Sequence, residues 1–345
     1  MTENVSPSLC RARGKGLVVG GAGYIGSHVV KALVEAGKDV IVFDNLSTGH
    51  AWAVKGADLV VGDLGDGEAL NRLFAAHRFD AVMHFAANIW VGESITDPIK
   101  YYRNNVVASL NLFERIARHH VPNVVFSSTA AVYGEPGVDL LDESLPSSPI
   151  NPYGASKMMT ERMLTDIAVT SGTTFAILRY FNVAGADPDG RIGEASPNNS
   201  HLVKIACETA LGLRSNMHIN GTDYPTPDGT CIRDYIHVDD LASAHVSALD
   251  YLQAGGTSAV LNCGYGHGQS VREVIDMVRE VSGTDFVIEE GPRRPGDPAR
   301  LVADNTRIKQ MLRWHPHHPL DASQFAQSAG ENGRIDKVGE IAEEA

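Results

Sequence analysis

The chain has 345 residues, of which 43% are hydrophobic, and carries a formal net charge of −13. This length suits one large two-lobed unit or two domains with a sizeable core. Because the lysines and arginines are scattered along an acidic chain, the composition argues against binding to nucleic acid or to an anionic membrane.

The N-terminal residues 1–14 are polar and predict a flexible tail rather than a secretory signal. No apolar run reaches the length that spans a membrane. The four cysteines, Cys10, Cys207, Cys231 and Cys263, have no metal-binding or C-x-x-C spacing. They are predicted to be free thiols in a reducing compartment, which indicates a cytoplasmic location.

The first predicted strand, residues 16–19, leads into glycines at Gly20, Gly23 and Gly26. A predicted helix over residues 27–36 follows. Glycines in a strand-to-helix turn let a pyrophosphate approach the helix N-terminus, where free N–H groups favour an anion. The order strand, glycine turn and helix therefore predicts a dinucleotide site.

A second predicted strand, residues 39–43, ends at Asp44. An acidic residue about 20 positions after the glycine loop accepts both ribose hydroxyls and repels a 2′-phosphate, so it favours NAD over NADP. The alternative is that Asp44 is only a turn residue at the end of the strand.

Strands and helices then alternate along the first half of the chain. Strands are predicted over residues 59–61, 81–85 and 124–126, and helices over 68–76 and 98–119. This alternation predicts an α/β fold of the Rossmann type, a doubly wound parallel sheet whose strand ends line one crevice. His84 is flanked by apolar residues and is predicted to be buried rather than catalytic.

Tyr153 and Lys157 lie four residues apart on one face of a helix predicted to open at Asn151-Pro152. An ammonium held beside a phenol stabilises the phenolate and lowers its pKa, which would make Tyr153 a usable base. The alternative is that the spacing is an accident common on helices.

Beyond Asn182 the alternation weakens and turns become frequent. Helices are predicted over residues 202–211 and 271–281, with a short strand over 217–219. This predicts a smaller α/β lobe, formed by residues 183–235 and 266–328, beside a dinucleotide-binding domain of residues 15–182. The chain is predicted to return to that domain at about residues 236–265, and residues 329–345 are predicted to be a flexible tail.

Many short motifs in this order resemble the extended short-chain dehydrogenase/reductase family, and within it the UDP-glucose 4-epimerases. The motifs are Gly20-Gly21-Ala22-Gly23-Tyr24-Ile25-Gly26, His84-Phe85-Ala86-Ala87, Val91-Gly92-Glu93-Ser94, Ser127-Ser128-Thr129, Tyr153-Gly154-Ala155-Ser156-Lys157, Arg179-Tyr180-Phe181-Asn182 and Arg233-Asp234-Tyr235-Ile236-His237.

The resemblance implies roles for individual residues. Tyr153 would be the catalytic base, Lys157 its partner and Thr129 the hydroxyl that binds the sugar O4. Contacts to NAD are implied for Gly20, Gly23, Tyr24, Ile25, Gly26, Asp44, Asn45, Asp63, Leu64, Phe85, Ala86, Ala87, Asn104, Tyr153, Lys157 and Phe181. Contacts to a UDP-sugar are implied for Thr129, Asn182, His201, Leu202, Asn220, Arg233, Arg294, Asp297 and Leu301.

The activity implied is interconversion of UDP-glucose and UDP-galactose through a 4-keto sugar, with tightly bound NAD and no metal. Ala130 and Ala131 stand where related dehydratases carry an acidic residue, which favours an epimerase. Leu301, at a position that sets pocket size, leaves UDP-xylose/UDP-arabinose and UDP-N-acetylglucosamine 4-epimerases open as alternatives. A non-catalytic NAD-binding sensor is the alternative of another class, and a homodimer is implied by the resemblance.

Overall fold

The computed structural model describes residues 14–196 and 201–318. Cys10 and the predicted tails, apart from Gly14, lie outside the described residues. No helix in the described part is both long enough and apolar enough to cross a membrane.

The centre of the fold is a parallel sheet of seven strands, β1 Lys15–Val19, β2 Val40–Asp44, β3 Asp58–Val61, β4 Phe79–His84, β5 Asn123–Thr129, β6 Thr174–Tyr180 and β10 Ala259–Cys263. Their order in the sheet is β3-β2-β1-β4-β5-β6-β10. The order reverses between β1 and β4, and ligands of such sheets bind at this point, beyond the carboxyl ends of the strands. The predicted Rossmann-type α/β fold is confirmed.

Helices cover both faces of the sheet, as the alternation of side chains along its strands requires. Val18 and Val42 pack with α1 (Tyr24–Glu35) and α8 (Val238–Gln253) on one face. Leu17 and Ile41 face the other side, in one hydrophobic cluster with residues of the helices there. Those helices are α2 Gly67–Ala76, α5 Ala108–Arg118 and α6 Pro152–Ser171.

The helix predicted over residues 98–119 is interrupted. It consists of α4 (Pro98–Tyr101), a π-helical segment (Tyr102–Val107) and α5, with the short α3 (Val91–Thr96) before it. In the π segment the Asn105 carbonyl accepts hydrogen bonds from the hydroxyls of Ser109 and Thr160. The wider turn thus ties this region to α6, at the crevice.

The second half of the chain forms smaller elements. They are β7 Asn182–Ala184, α7 Leu202–Ala210, β8 Met217–Asn220, β9 Ile232–His237, β11 Gly268–Ser270, α9 Val271–Ser282, β12 Ile288–Gly291, β13 Arg300–Leu301 and α10 Thr306–Leu312. Strand β9 pairs with β7, β11 and β13, and β12 pairs with β8. Within the predicted return segment, the residues that re-enter the large sheet are those of β10; residues 236–237 belong to β9 and residues 238–248 to α8. The predicted domain limits stay a prediction.

Candidate active site

The glycine turn lies against the end of β4. Gly20 has φ +78, and a Cβ there would lie 2.5 Å from the Ala86 nitrogen. A Cβ on Gly26 would lie 2.2 Å from the Gly20 oxygen. Only glycine fits either position, and the turn delivers the chain to the N-terminus of α1 at Tyr24. These residues fit the pyrophosphate of a dinucleotide.

Asp44 ends β2 and is nearly buried. Its carboxylate accepts hydrogen bonds from the backbone N–H of Ala22, at 2.9 Å, and of Leu46, at 2.8 Å. Each carboxylate oxygen retains a lone pair for a further donor. Asp44 therefore fixes the glycine turn and still has the capacity to accept the ribose hydroxyls. The role of Asp44 as a turn residue is therefore compatible with its predicted role in binding the ribose.

A single cleft runs from this turn across the ends of β4 and β5. Of the predicted cofactor contacts, only Lys157 does not line it. At its far end Asp63 accepts a hydrogen bond of 2.6 Å from Asn45 Nδ2, which joins two of the residues predicted to contact NAD. The cleft thus contains a glycine turn at a helix N-terminus and an acidic residue at the end of the next strand. These two features fit NAD.

Tyr153 is placed by the start of α6. Asn151 caps this helix, accepting a hydrogen bond from Gly154 N at 2.8 Å, and Pro152 occupies the first turn. The Tyr153 side chain lines the cleft together with Thr129. Burial raises the pKa of Tyr153 to about 12, and hydrogen bonding to the Thr129 side chain acts in the opposite direction.

Lys157 lies one turn further on and is 3% exposed. Its Nζ donates to the Ser127 carbonyl at 2.8 Å and lies 4.9 Å from the centre of the Phe126 ring. Burial lowers the pKa of Lys157 to about 7. Thr129 is the group that acts to lower the pKa of Tyr153, and the expected effect of the Lys157 ammonium on that pKa stays a prediction.

Three charged residues predicted to contact a UDP-sugar face the same cleft. Arg294 is held by Asp297 through two hydrogen bonds, 2.9 Å from Nε to Oδ2 and 3.2 Å from Nη2 to Oδ1. Arg233 is nearly buried and donates from Nη1 to the Ile232 carbonyl at 2.9 Å. Two fixed guanidinium groups suit the binding of a diphosphate.

Of the predicted substrate contacts, all but two line the cleft. His201 does so while its ring contacts the Glu194 carboxylate at 2.9 Å. Leu202 begins α7 and packs against the hydrophobic cluster of α1 and α8, and Asn220 is exposed at the end of β8. Leu202 and Asn220 are therefore not brought into the cleft.

The cleft also contains polar residues that the sequence analysis missed, among them Tyr180, Asn151 and Glu194. The Tyr180 hydroxyl lies 2.6 Å from Ser127 Oγ. Tyr180 ends β6, so the rule that ligands meet strand ends would have indicated it had residues 174–180 been recognised as a strand. His84 is buried as predicted, with Nε2 2.8 Å from Ser109 Oγ, and burial lowers its pKa to about 3.

Known protein families and individual proteins were compared with the sequence of this chain. The model of the NAD dependent epimerase/dehydratase family matches residues 16–264. The chain is 55% identical over 303 residues to UDP-glucose 4-epimerase of Azospirillum brasilense, covering 88% of this chain and 87% of that protein.

Solved structures of UDP-glucose 4-epimerases are similar to this chain in fold and in sequence. The crystal structure of UDP-glucose 4-epimerase from Brucella ovis in complex with NAD has a TM-score of 0.87 and 44% identity, over 91% of this chain and 96% of that one. The enzyme from Bifidobacterium longum in complex with NAD⁺ and UDP has a TM-score of 0.86 and 37% identity, over 91% and 96% of the two chains.

Proposed function

The chain belongs to the NAD dependent epimerase/dehydratase family, and on that premise we propose that it interconverts UDP-glucose and UDP-galactose, with NAD retained as its cofactor. The predictions of an NAD-dependent nucleotide-sugar 4-epimerase are confirmed by its relatives. The observation that carries the proposal is one cleft lined by a dinucleotide turn, a buried phenol at Tyr153 and two arginines, Arg233 and Arg294.

The proposed reaction requires a cofactor that accepts a hydride and a side chain that transfers a proton. NAD, when bound, supplies a reversible hydride acceptor for the sugar C4. Tyr153 as phenolate takes the proton of the O4 hydroxyl and later returns it, so one residue serves as base and as acid. The 4-keto sugar formed in between must present its other face before reduction. No net oxidation of the sugar occurs.

Thr129 is oriented for this proton transfer. Its Oγ1 accepts a hydrogen bond of 3.1 Å from the backbone N–H of Ala131. The hydroxyl hydrogen is therefore free to bond the Tyr153 oxygen or the sugar O4. Ala130 and Ala131 carry no titratable group, so the site lacks at this point the second acid that an elimination would need.

Arg233 and Arg294 are assigned to the diphosphate. Asp297 keeps the guanidinium of Arg294 in place and balances part of the positive charge. If the UDP moiety is held at this end, the hexose has freedom to turn while its anchor stays fixed.

A coupled assay on the purified protein tests the proposal. The protein is supplied in turn with UDP-galactose, UDP-arabinose and UDP-N-acetylgalactosamine, without added NAD. We expect conversion of UDP-galactose, because the retained cofactor is regenerated in each cycle. Preferential conversion of either other sugar would select that alternative substrate, and no conversion even with added NAD would support the non-catalytic sensor.

Replacing Thr129 by valine is expected to raise the pKa of Tyr153 further, because its hydrogen bond is the contact that lowers it. The active base is the deprotonated phenol, so activity at neutral pH falls by roughly tenfold for each unit of pKa gained. The loss is recovered as the pH rises. The measurement is the pH profile of kcat/KM, whose rising limb moves to higher pH.

Thr129→Ser is the matched control, because it keeps the hydroxyl. The rising limb of its kcat/KM profile should therefore stay at the same pH as in the wild-type protein. A Thr129→Val profile that is lower at every pH without moving along the pH axis would contradict the assigned role.

We also propose a homodimer that pairs α4, the π segment, α5 and α6 across a two-fold axis. These elements expose apolar side chains: Ile99 is 67% exposed, Val107 55%, Leu110 39%, Met159 41% and Val169 83%. Such a patch favours burial against a second copy.

Light scattering on the purified protein should give twice the chain mass of 37.0 kDa. Leu110→Glu should reduce the mass to that of one chain, whereas Val287→Glu, at an exposed apolar residue elsewhere, should not. A monomeric wild-type protein would contradict the proposal.

A cytoplasmic location is part of the same proposal. It is supported by Cys207, Cys231 and Cys263, which are all buried free thiols. Free thiols are typical of a reducing compartment.

A further inference from the structure

We propose that Trp90 forms one wall of the sugar subsite and supplies the surface on which the hexose ring rests while it turns. This inference rests on the proposed function. Trp90 is the N-cap residue of α3 and lines the active-site cleft.

The backbone of Trp90 is held by two hydrogen bonds. Its carbonyl accepts hydrogen bonds from Ser94 N at 3.0 Å and from the Tyr101 hydroxyl at 2.7 Å. Tyr101 is fully buried. The segment that carries the indole is therefore anchored to the protein.

The Trp90 indole differs from the other two indoles in its contacts with described residues. Trp314 packs in the core and donates from Nε1 to Ser243 at 2.9 Å, and Trp52 stacks on His50 at 5.4 Å. Within residues 14–196 and 201–318, no hydrogen bond, ring contact or cation contact is found for the Trp90 indole, and it lies outside the three buried hydrophobic clusters. A large aromatic ring is thus left facing the cleft.

The start of α3 lies against the loop that carries Arg294 and Gly296. A Cβ built on Gly92 would be 4.0 Å from Arg294 Cδ, at the phosphate end. A Cβ built on Gly296 would be 3.7 Å from Val91 Cγ1 and 3.6 Å from Asn151 Cβ. Asn151 caps the helix that carries Tyr153. The segment therefore adjoins both the proposed diphosphate site and the start of the helix that carries the phenol, which supports placing the hexose against it.

An indole suits a sugar that has to turn. A hexose presents C–H groups on its faces, and an aromatic surface binds them mainly through apolar contact. Such contact is non-directional, so it favours both orientations of the ring without a fixed set of hydrogen bonds. Hydrogen-bonding side chains at this position would instead favour one orientation.

The kinetic test compares Trp90→Ala with Trp90→Phe in the holoenzyme. Trp90→Ala should lower kcat/KM for UDP-galactose roughly tenfold, which corresponds to about 1.4 kcal/mol. Trp90→Phe, which keeps an aromatic face, should restore most of the loss. Inhibition by UDP should be the same in all three proteins, because UDP has no hexose. Unchanged kcat/KM in Trp90→Ala, or an equal loss of UDP affinity, would overturn the inference.

Fluorescence provides a direct measurement that does not depend on turnover. In the Tyr153→Phe holoenzyme, UDP-galactose should change the tryptophan emission more than UDP does. That difference should vanish when Trp90→Phe is added, although Trp52 and Trp314 remain. If the difference persists without Trp90, the inference is wrong while the proposed function stands. If UDP-galactose neither binds nor is converted by the wild-type protein, the proposed function itself fails.

Discussion

Tyr153→Phe is expected to lower kcat by roughly 10³-fold while NAD stays bound. The substitution removes only the phenolic oxygen, and proton transfer by a positioned side chain contributes about 10²–10⁴-fold to a rate. The Tyr153 ring is largely buried, so the phenylalanine ring retains its packing. The measurement is the steady-state rate with UDP-galactose, together with the amount of NAD released on denaturation.

Tyr251→Phe is the matched control, because among the described residues its hydroxyl forms hydrogen bonds to Thr257 alone, away from the cleft. That variant should keep full activity. Substantial turnover by Tyr153→Phe would remove the phenol from the mechanism, and loss of NAD from that variant would show a structural role instead.

The pKa values of Tyr153 and Lys157 indicate what the reaction requires. Tyr153 is protonated at neutral pH, because burial raises its pKa to about 12. Lys157 has its pKa lowered to about 7 by the same cause and is therefore only partly charged there. For Tyr153 to act as a base, the enzyme with NAD and sugar bound must stabilise its phenolate. The Thr129 hydroxyl is one group of the protein that does so.

The sequence predicted the Rossmann half because its signals are local. Glycine spacing, apolar strands and helix ends are all properties of short segments, and Gly20, Gly26 and Asp44 take the places that they indicate. The family resemblance added the sugar side, where Arg233, Arg294 and Leu301 do line one cleft.

Non-local features were harder to predict. The π segment leaves no mark in the apolar periodicity, since it depends on Asn105 bonding to Asn88 and Ser156, 17 and 51 residues away. Lys157 has the predicted spacing from Tyr153, yet its ammonium bonds the Ser127 carbonyl. Which acceptor a lysine reaches is decided by the strand packed beneath the helix.

The largest stability effect is expected at the buried ion pair that joins α6 to β6. Arg179 and Glu161 are each 8% exposed, with 2.6 Å between Nη2 and Oε2 and 3.0 Å between Nε and Oε1. Arg179→Met leaves the Glu161 carboxylate buried without its cation, which costs about 3–5 kcal/mol. For a chain of this size we expect the Tm of the NAD-loaded protein to fall by roughly 5–8 °C.

The same helix provides the control. Arg162 and Asp166 form an exposed pair, with side chains 78% and 60% exposed, so Arg162→Met should change stability by about 0.5 kcal/mol or less. In Arg179→Met, adding Glu161→Leu should restore part of the Tm, because no lone charge then remains buried. The restoration stays incomplete, since the Ser128 hydroxyl also donates to Glu161 and loses its acceptor. If the double variant were less stable than Arg179→Met alone, the buried charge would not be the cause, and the loss would instead reflect the packing of Arg179 on the Tyr133 ring.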